Sequence, residues 1–196
     1  MMPLSSRITE ESMPCSLSIK TQPDSRDACF QHDISYVWTA EGWLYLAIVV
    51  DLFSRKIVGW ATSDRMKRNL ALSALSRAIN LRRPAPGLIH HSDRGSQYCS
   101  DDYRRLVAAS GFVASMSGRG NCYDNAMVET VFKTIKSECV WRTAFRSREQ
   151  ACNAIGVYIE GFYNPQRRHS SLGYKSPAAF ETAYRANGRT EKTALH

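Results

Sequence analysis

From Gln31 to Trp38 the side chains alternate in character. Asp33, Ser35 and Val37 fall on one face and Ile34, Tyr36 and Trp38 on the other, which predicts a strand. Glu41-Gly42 supplies a turn, and Trp43 to Val50 is then apolar without interruption, the pattern of a strand covered on both faces. Lys56 to Ala61 reads as a third strand, and the short links predict an antiparallel meander. The period then changes. Leu72, Leu75 and Ile79 recur at helical spacing between about Asn69 and Leu81, and Pro84 forbids continuation. Leu88 to His91 predicts a short strand. Ser100 is placed to cap a helix that stops at Gly111, and Phe112 to Met116 predicts a fifth strand. A loop from Ser117 to Tyr123 carries Gly118 and Gly120, after which Asp124 or Asn125 caps a helix to about Glu138. Ser147-Arg-Glu-Gln150 has the form of a capping box for a helix to about Tyr163. Its apolar residues Ala151, Ala154, Ile155, Tyr158, Ile159 and Phe162 form one stripe.

This order predicts an α/β fold, a mixed five-stranded sheet with helices on both faces and a helical C-terminal extension. The expected organisation is a disordered leader over 1–28, a core over 29–140, a helical extension over 141–185 and a disordered tail over 186–196. The leader is polar and aperiodic. The longest apolar run, Leu44 to Val50, is far too short to suggest a membrane span. No C-x-x-C pair occurs among the six cysteines, which is the expectation for reduced thiols in a cytoplasmic protein. The net charge of +8 favours a polyanionic partner, and more than half of that excess falls within residues 130–185.

Three carboxylates carry the candidate chemistry, although each has an ordinary explanation when taken alone. Asp33 lies inside a strand, where aspartate is disfavoured, yet an edge strand would tolerate it. Asp93 follows the short fourth strand, at the end of a strand where such sheets bind ligands, but Ser-Asp-Arg-Gly is also plain turn chemistry. Glu129 shares a helical face with Lys133 and Lys136, away from the stripe of Val128, Val131, Phe132 and Ile135. A solvated Glu–Lys pair would look the same.

Together they read differently. Thirty-five residues separate Asp93 from Glu129, and the words around the acids are distinctive: Asp-Ile-Ser-Tyr (33–36), Val-Val-Asp-Leu-Phe-Ser-Arg (49–55), His-Ser-Asp-Arg-Gly-Ser-Gln-Tyr (91–98), Gly-Asn-Cys-Tyr-Asp-Asn-Ala (120–126) and Tyr-Asn-Pro-Gln-Arg-Arg-His-Ser-Ser-Leu-Gly-Tyr (163–174) with Ser-Pro (176–177). In these motifs, in this order, the chain resembles the DDE transposases of bacterial insertion-sequence family three and the core of retroviral integrases. The resemblance spans about residues 29–182. It departs at Phe30, where the family usually has Trp, and in the leader.

The resemblance implies an RNase H-like fold with the first and fourth strands side by side, which brings Asp33 near Asp93. It implies that Asp33, Asp93 and Glu129 are catalytic and hold two divalent metal ions, Mg²⁺ or Mn²⁺. Two such ions stabilise the attacking and leaving oxygens of in-line phosphoryl transfer, and hard cations need few carboxylates. Lys133 and Lys136 match two lysines that contact DNA ends in integrases, and Arg167 and Arg168 are further candidates for DNA contact. The implied partners are element-end and target DNA, further copies of the chain, and a separate helix-turn-helix protein from an upstream frame. The expected activity is DNA transposition by phosphodiester cleavage and strand transfer, from a chain without the family's N-terminal recognition helices. A hydrolytic nuclease of the same fold and a non-catalytic DNA-binding remnant are the two rival readings. His90, His91 and Asp51 are expected to be structural, with Asp51 a minor alternative ligand.

Overall fold

The computed structural model describes residues 25–93, 95–116 and 125–193, with side chains in the last helix as far as Asn187. Most of the expected leader, the loop with Gly118 and Gly120, and Asp124 lie outside the described residues. Five strands form one sheet: β1 (Cys29–Thr39), β2 (Gly42–Asp51), β3 (Ile57–Ser63), β4 (Ile89–Ser92) and β5 (Val113–Met116), in the order β3-β2-β1-β4-β5. β1 and β3 flank β2 antiparallel, while β4 runs parallel to β1 and β5 parallel to β4. The helices are α1 (Arg68–Arg82), α2 (Asp101–Ala109), α3 (Ala126–Glu138), α4 (Arg148–Val157) and α5 (Pro177–Thr193).

The uninterrupted apolar run of β2 is explained by its central place. Leu46, Ile48 and Val50 join the core under α3 and α4, whereas Ala47 and Val49 join the core under α1 and α2. Alternation therefore sends successive β2 side chains into two separate apolar layers. The C-terminal helices share the first of these layers with the sheet, through Ala151, Ile155, Ile159 and Tyr163.

α1 lies on the sheet by a face that keeps Leu75 but is rotated away from Leu72 and Ile79 of the predicted stripe. The buried residues are Leu70, Ala71, Ala74, Leu75 and Ala78, while Leu72 and Ile79 are only partly covered. The reason lies on β3. A Cβ placed on Gly59 would stand 2.2 Å from the Ala74 carbonyl oxygen and 2.8 Å from the Ala78 nitrogen. Glycine facing alanines lets the helix backbone rest directly on the strand, so small residues replace the expected apolar ridge.

The helix that begins at Arg148 is capped by Ser147, whose hydroxyl accepts from the Gln150 N–H at 3.1 Å. Gln150 in turn accepts from the Arg146 N–H at 2.8 Å. It changes register at Tyr158, where a π-helical turn runs to Tyr163. The wider turn stacks residue i+5 over residue i, so Tyr163 returns to the buried side with Tyr158 and Ile159. Asn164, directly after it, clamps the start of β3: it accepts from the Ile57 N–H and donates to the Ile57 carbonyl, both at 3.0 Å.

Two expectations are corrected here. Ser100 occupies the N-cap position of α2, but its hydroxyl turns back to the Gln97 carbonyl instead of capping the helix. α5 continues to Thr193, beyond residue 185 where the ordered chain was expected to end. The helix is anchored through Glu181, which is buried with Asp51, Arg82 and Ser54 where the ends of β2 and α1 meet. Among the described residues no helix is long and apolar enough to cross a membrane.

Candidate functional site

β4 pairs with β1 only over Cys29–His32, so His32 faces Ser92 and the next residue on each strand is an aspartate. Asp33 remains paired across β1–β2 with Ile48, and Asp93 enters the loop after β4. Neighbouring strands stand about 4.8 Å apart. Register alone therefore delivers two carboxylates to the same end of the sheet.

α3 brings the third, and a chain of amides sets its position. Gln31, fully buried, donates to the Asn125 side-chain oxygen at 2.9 Å and accepts from the Val128 N–H at 3.2 Å. Asn125 donates to Asp33 Oδ2 at 3.0 Å. The start of α3 is thereby fastened to the strand that carries Asp33, one residue before Glu129. Burial pushes the Asp33 pKa up to about 6. The Ile34 N–H on Oδ1 and the Asn125 amide oppose the rise, and the charges of Asp93 and Glu129 add to it. The three acids thus share one electrostatic field. Among the described residues no three acid, histidine or cysteine side chains are grouped so as to hold a metal ion. Asp33 already spends both oxygens on protein donors, and Asp93 Oδ1 accepts from the Gly95 N–H at 2.8 Å. A Cβ at Gly95 would stand 2.7 Å from Gln97 Oε1 and 2.9 Å from Asp93 Oδ1, so a side chain there would displace one or both of these groups.

A buried polar cluster lies beneath this end of the sheet. The Tyr103 hydroxyl sits 2.6 Å from both His32 Nδ1 and His90 Nε2, so it donates to one ring and accepts from the other. Burial drives the pKa of both histidines down, His90 to about 3, and the charge each neighbour ring would carry adds to the effect. His91 is also buried and meets the Ser115 hydroxyl at 3.0 Å. These buried, hydrogen-bonded rings form a floor beneath the acids. Asp51, three residues beyond Ile48 at the end of β2, is buried and committed to the Arg82–Glu181 ion network, which argues against it as an alternative ligand.

The basic candidates separate. Glu129 and Lys133 are exposed on α3. Lys136, on the same helix, is half-buried: its ammonium lies 4.9 Å from the centre of the Tyr36 ring and feels the Asp33 charge. Burial holds its pKa below the usual lysine range. Arg167 is already engaged, forked onto Glu138 at 2.7 and 3.0 Å and lying over the Tyr163 ring. Arg168 beside it is exposed. Both arginines line a groove of about 410 Å³ with Arg55, Ser170 and Ser171.

Gln31 and Asn125 were not singled out by sequence reasoning in these roles. Asn125 does stand at the N-cap position of α3, but its amide makes no cap bond and goes to Gln31 and Asp33 instead. One signal was available: Gln31 has the same strand parity as Asp33, which puts a neutral amide on the buried face beside the acid.

The fold has solved counterparts. The catalytic core of HTLV-2 integrase, solved in complex with magnesium, aligns with a TM-score of 0.57 over 78% of this chain and 94% of that one, at 17% identity. The simian T-cell lymphotropic virus intasome, in complex with a PP2A regulatory subunit, aligns at 0.59 over 73% of this chain and 50% of that one, at 18% identity. The mixed sheet with flanking helices is therefore an RNase H-like core of the integrase type. In sequence, two family descriptions, both integrase core domain, match residues 23–122 and 110–177. The chain belongs to the integrase core domain family. Among curated relatives, an uncharacterised 31 kDa protein of insertion element IS600 from Shigella sonnei is 49% identical over 83% of this chain and 60% of its own length. The transposase for insertion sequence IS904 of Lactococcus lactis is 48% identical over 76% of this chain and 59% of its own. The InsF transposase of IS3A from Escherichia coli is 48% identical over 76% and 52%. The chain thus spans a little over half the length of these relatives.

Proposed function

We propose that this chain is the catalytic core of a DDE transposase, which cuts a phosphodiester at an element end and joins the freed 3′-hydroxyl to target DNA. The observation that carries the reading is that the charges of both Asp93 and Glu129 reach Asp33, which lies in mid-β1 beside the carboxyl end of β4. The relatives named as transposases support it, as does the magnesium in the HTLV-2 core.

The donor set fits hard divalent cations. All three side chains offer carboxylate oxygens, and a cation would relieve both the burial that chiefly raises Asp33 and the smaller repulsion from Asp93 and Glu129. Asp33, Asp93 and Glu129 would hold two Mg²⁺ or Mn²⁺ ions, which supply electrostatic stabilisation to the attacking and leaving oxygens. The chain's own residues do the positioning. Gln31 and Asn125 hold α3 at the depth that presents Glu129. Gly95 keeps the Asp93 loop tight. Lys133, Lys136 and Arg168 would take phosphates, with Arg167 bracing that surface through Glu138. Further copies of the chain and a separate helix-turn-helix protein complete the set of partners in this reading.

The test is a strand-transfer assay of the purified chain on labelled DNA carrying the inverted repeats that flank its coding sequence. Joined products should require Mg²⁺ or Mn²⁺ and vanish with a chelator. Joining that survives chelation would refute the metal reading, and hydrolysis without joining would favour a nuclease. The lysines give a separate check. Lys133→Ala should reduce the dependence of log K on log salt by about 0.9 for each phosphate that the lysine neutralises, at any duplex sequence. An unchanged slope in Lys133→Ala and Lys136→Ala would take this helix face away from DNA.

A further inference from the structure

Three of the chain's four tryptophans line a single groove. Trp38 and Trp43 face each other across the β1–β2 hairpin, with ring centres 4.8 Å apart, and Trp141 stands on the short 3₁₀ turn after α3. Tyr36 completes the set, 4.9 Å from Trp43. All four are open to solvent: Trp141 is 72% exposed, Trp38 60%, Tyr36 52% and Trp43 44%. The two ring contacts of Trp43 are edge-to-face, at 73° and 80°, so these rings are not stacked on one another's faces. The groove measures about 650 Å³, and its lining includes two cations, Lys136 and Arg142, and no carboxylate. Scattered surface aromatics need no explanation, but a contiguous patch of this kind marks an interaction site.

The groove neighbours the carboxylates without including them, and by strand alternation Tyr36 and Asp33 leave β1 on opposite faces. Tyr36 lies three residues along β1 from Asp33, about 10 Å at strand rise. Lys136 links the two regions, since its ammonium covers the Tyr36 ring and feels the charge of Asp33. Open aromatic faces interleaved with cations and free of acids match a strand of nucleic acid whose bases are unpaired. Each base offers a π-face to a ring, and each phosphate meets a positive charge.

We propose that this groove is a stacking platform for unpaired nucleotides of the DNA strand leaving the carboxylate site, with Trp38 and Trp141 as principal stacking residues and Lys136 and Arg142 taking the phosphates. The inference rests on the chain acting on DNA, as proposed above, and adds that the DNA is locally single-stranded beside the site. It commits to DNA over a second copy of the chain because the lining itself carries two cations and no acid, the nearest acids, Asp33 by Lys136 and Glu138 by Arg142, standing outside it.

The test compares binding of the purified chain to a blunt duplex and to the same duplex with a short single-stranded thymidylate extension, following tryptophan fluorescence. The extension should quench fluorescence and tighten binding about tenfold or more, as stacking on each ring allows. The double variant Trp38→Ala/Trp141→Ala should lose the advantage of the extension and still bind the blunt duplex as the parent does. Phenylalanine at both positions should restore most of the advantage. DNA binding with no preference for the extension, or a preference that the alanine variant retains, overturns the platform and leaves the DNA reading intact. Loss of self-association in the alanine variant, with the preference unchanged, assigns the groove to a second copy instead. Failure to bind either DNA refutes both readings.

Discussion

Asp93→Asn is expected to abolish strand transfer while leaving the fold in place. Asparagine keeps an oxygen for the Gly95 N–H that Asp93 now holds at 2.8 Å, so the loop after β4 retains its anchor. What disappears is the negative charge and a strong ligand for a divalent cation. A lost metal clamp removes several kcal/mol of transition-state stabilisation, hence roughly a thousandfold or more in rate. Asp33→Asn and Glu129→Gln should behave alike. The measurement is the joining rate at saturating Mg²⁺, with circular dichroism and thermal unfolding showing that each variant is folded. A well-folded Asp93→Asn protein that joins DNA at near the parent rate would remove this residue from the mechanism.

Arg82→Met should produce the largest loss of stability. Its side chain is nearly inaccessible, and it meets Asp51 Oδ2 at 3.1 Å, both oxygens of Glu181, and Asp27 at 3.3 Å. The Ser54 hydroxyl lies within hydrogen-bond distance of both Asp51 and Glu181 and can donate to either, and Lys56 approaches Glu181 at 3.5 Å. Without the guanidinium, Asp51 and Glu181 are left buried, with Lys56 reaching only Glu181. Breaking a buried pair in this way costs about 3–5 kcal/mol. For a chain of this size each kcal/mol lowers Tm by roughly 2–4 °C. The loss should depend on pH in a defined direction. Burial already raises Asp51 to about 6 against the pull of Arg82, and removing that pull raises it further. A folded-state pKa above the unfolded one makes the group destabilising once pH exceeds the unfolded value. The deficit should therefore be greatest near neutral pH and shrink toward pH 5, as Asp51 takes up a proton. Urea unfolding at the two pH values measures it. A deficit below about 1 kcal/mol at pH 7, or one that grows on acidification, would contradict this account of how α5 is held.

Much of the secondary structure was legible because it is written in local periods. Alternation from Gln31 to Trp38, the unbroken apolar run of β2 and the Ser147 capping box each depend on residues near one another in the chain, and each element lies where that pattern put it. The acids are proposed by a different route: their spacing and surrounding words point to one site, though each acid alone looks ordinary.

The tertiary structure decided what depends on partners distant in sequence. α1 buries alanines because Gly59 of β3 lies under them, and nothing within the helix announces a glycine on a neighbouring strand. Gln31 and Asn125 are 94 residues apart, and only the docking of α3 on β1 makes them a bridge to Asp33. Asp51, Arg82 and Glu181 come from three elements, and their burial as one network is a property of packing that no local pattern encodes. Arg167 has the look of a free cation in the sequence, and it is Glu138, 29 residues away, that holds it. Hydrophobic period acts over one or two turns and is printed in the chain. Electrostatic and hydrogen-bonding partnerships act through space, so their identity waits on which surfaces the fold brings together.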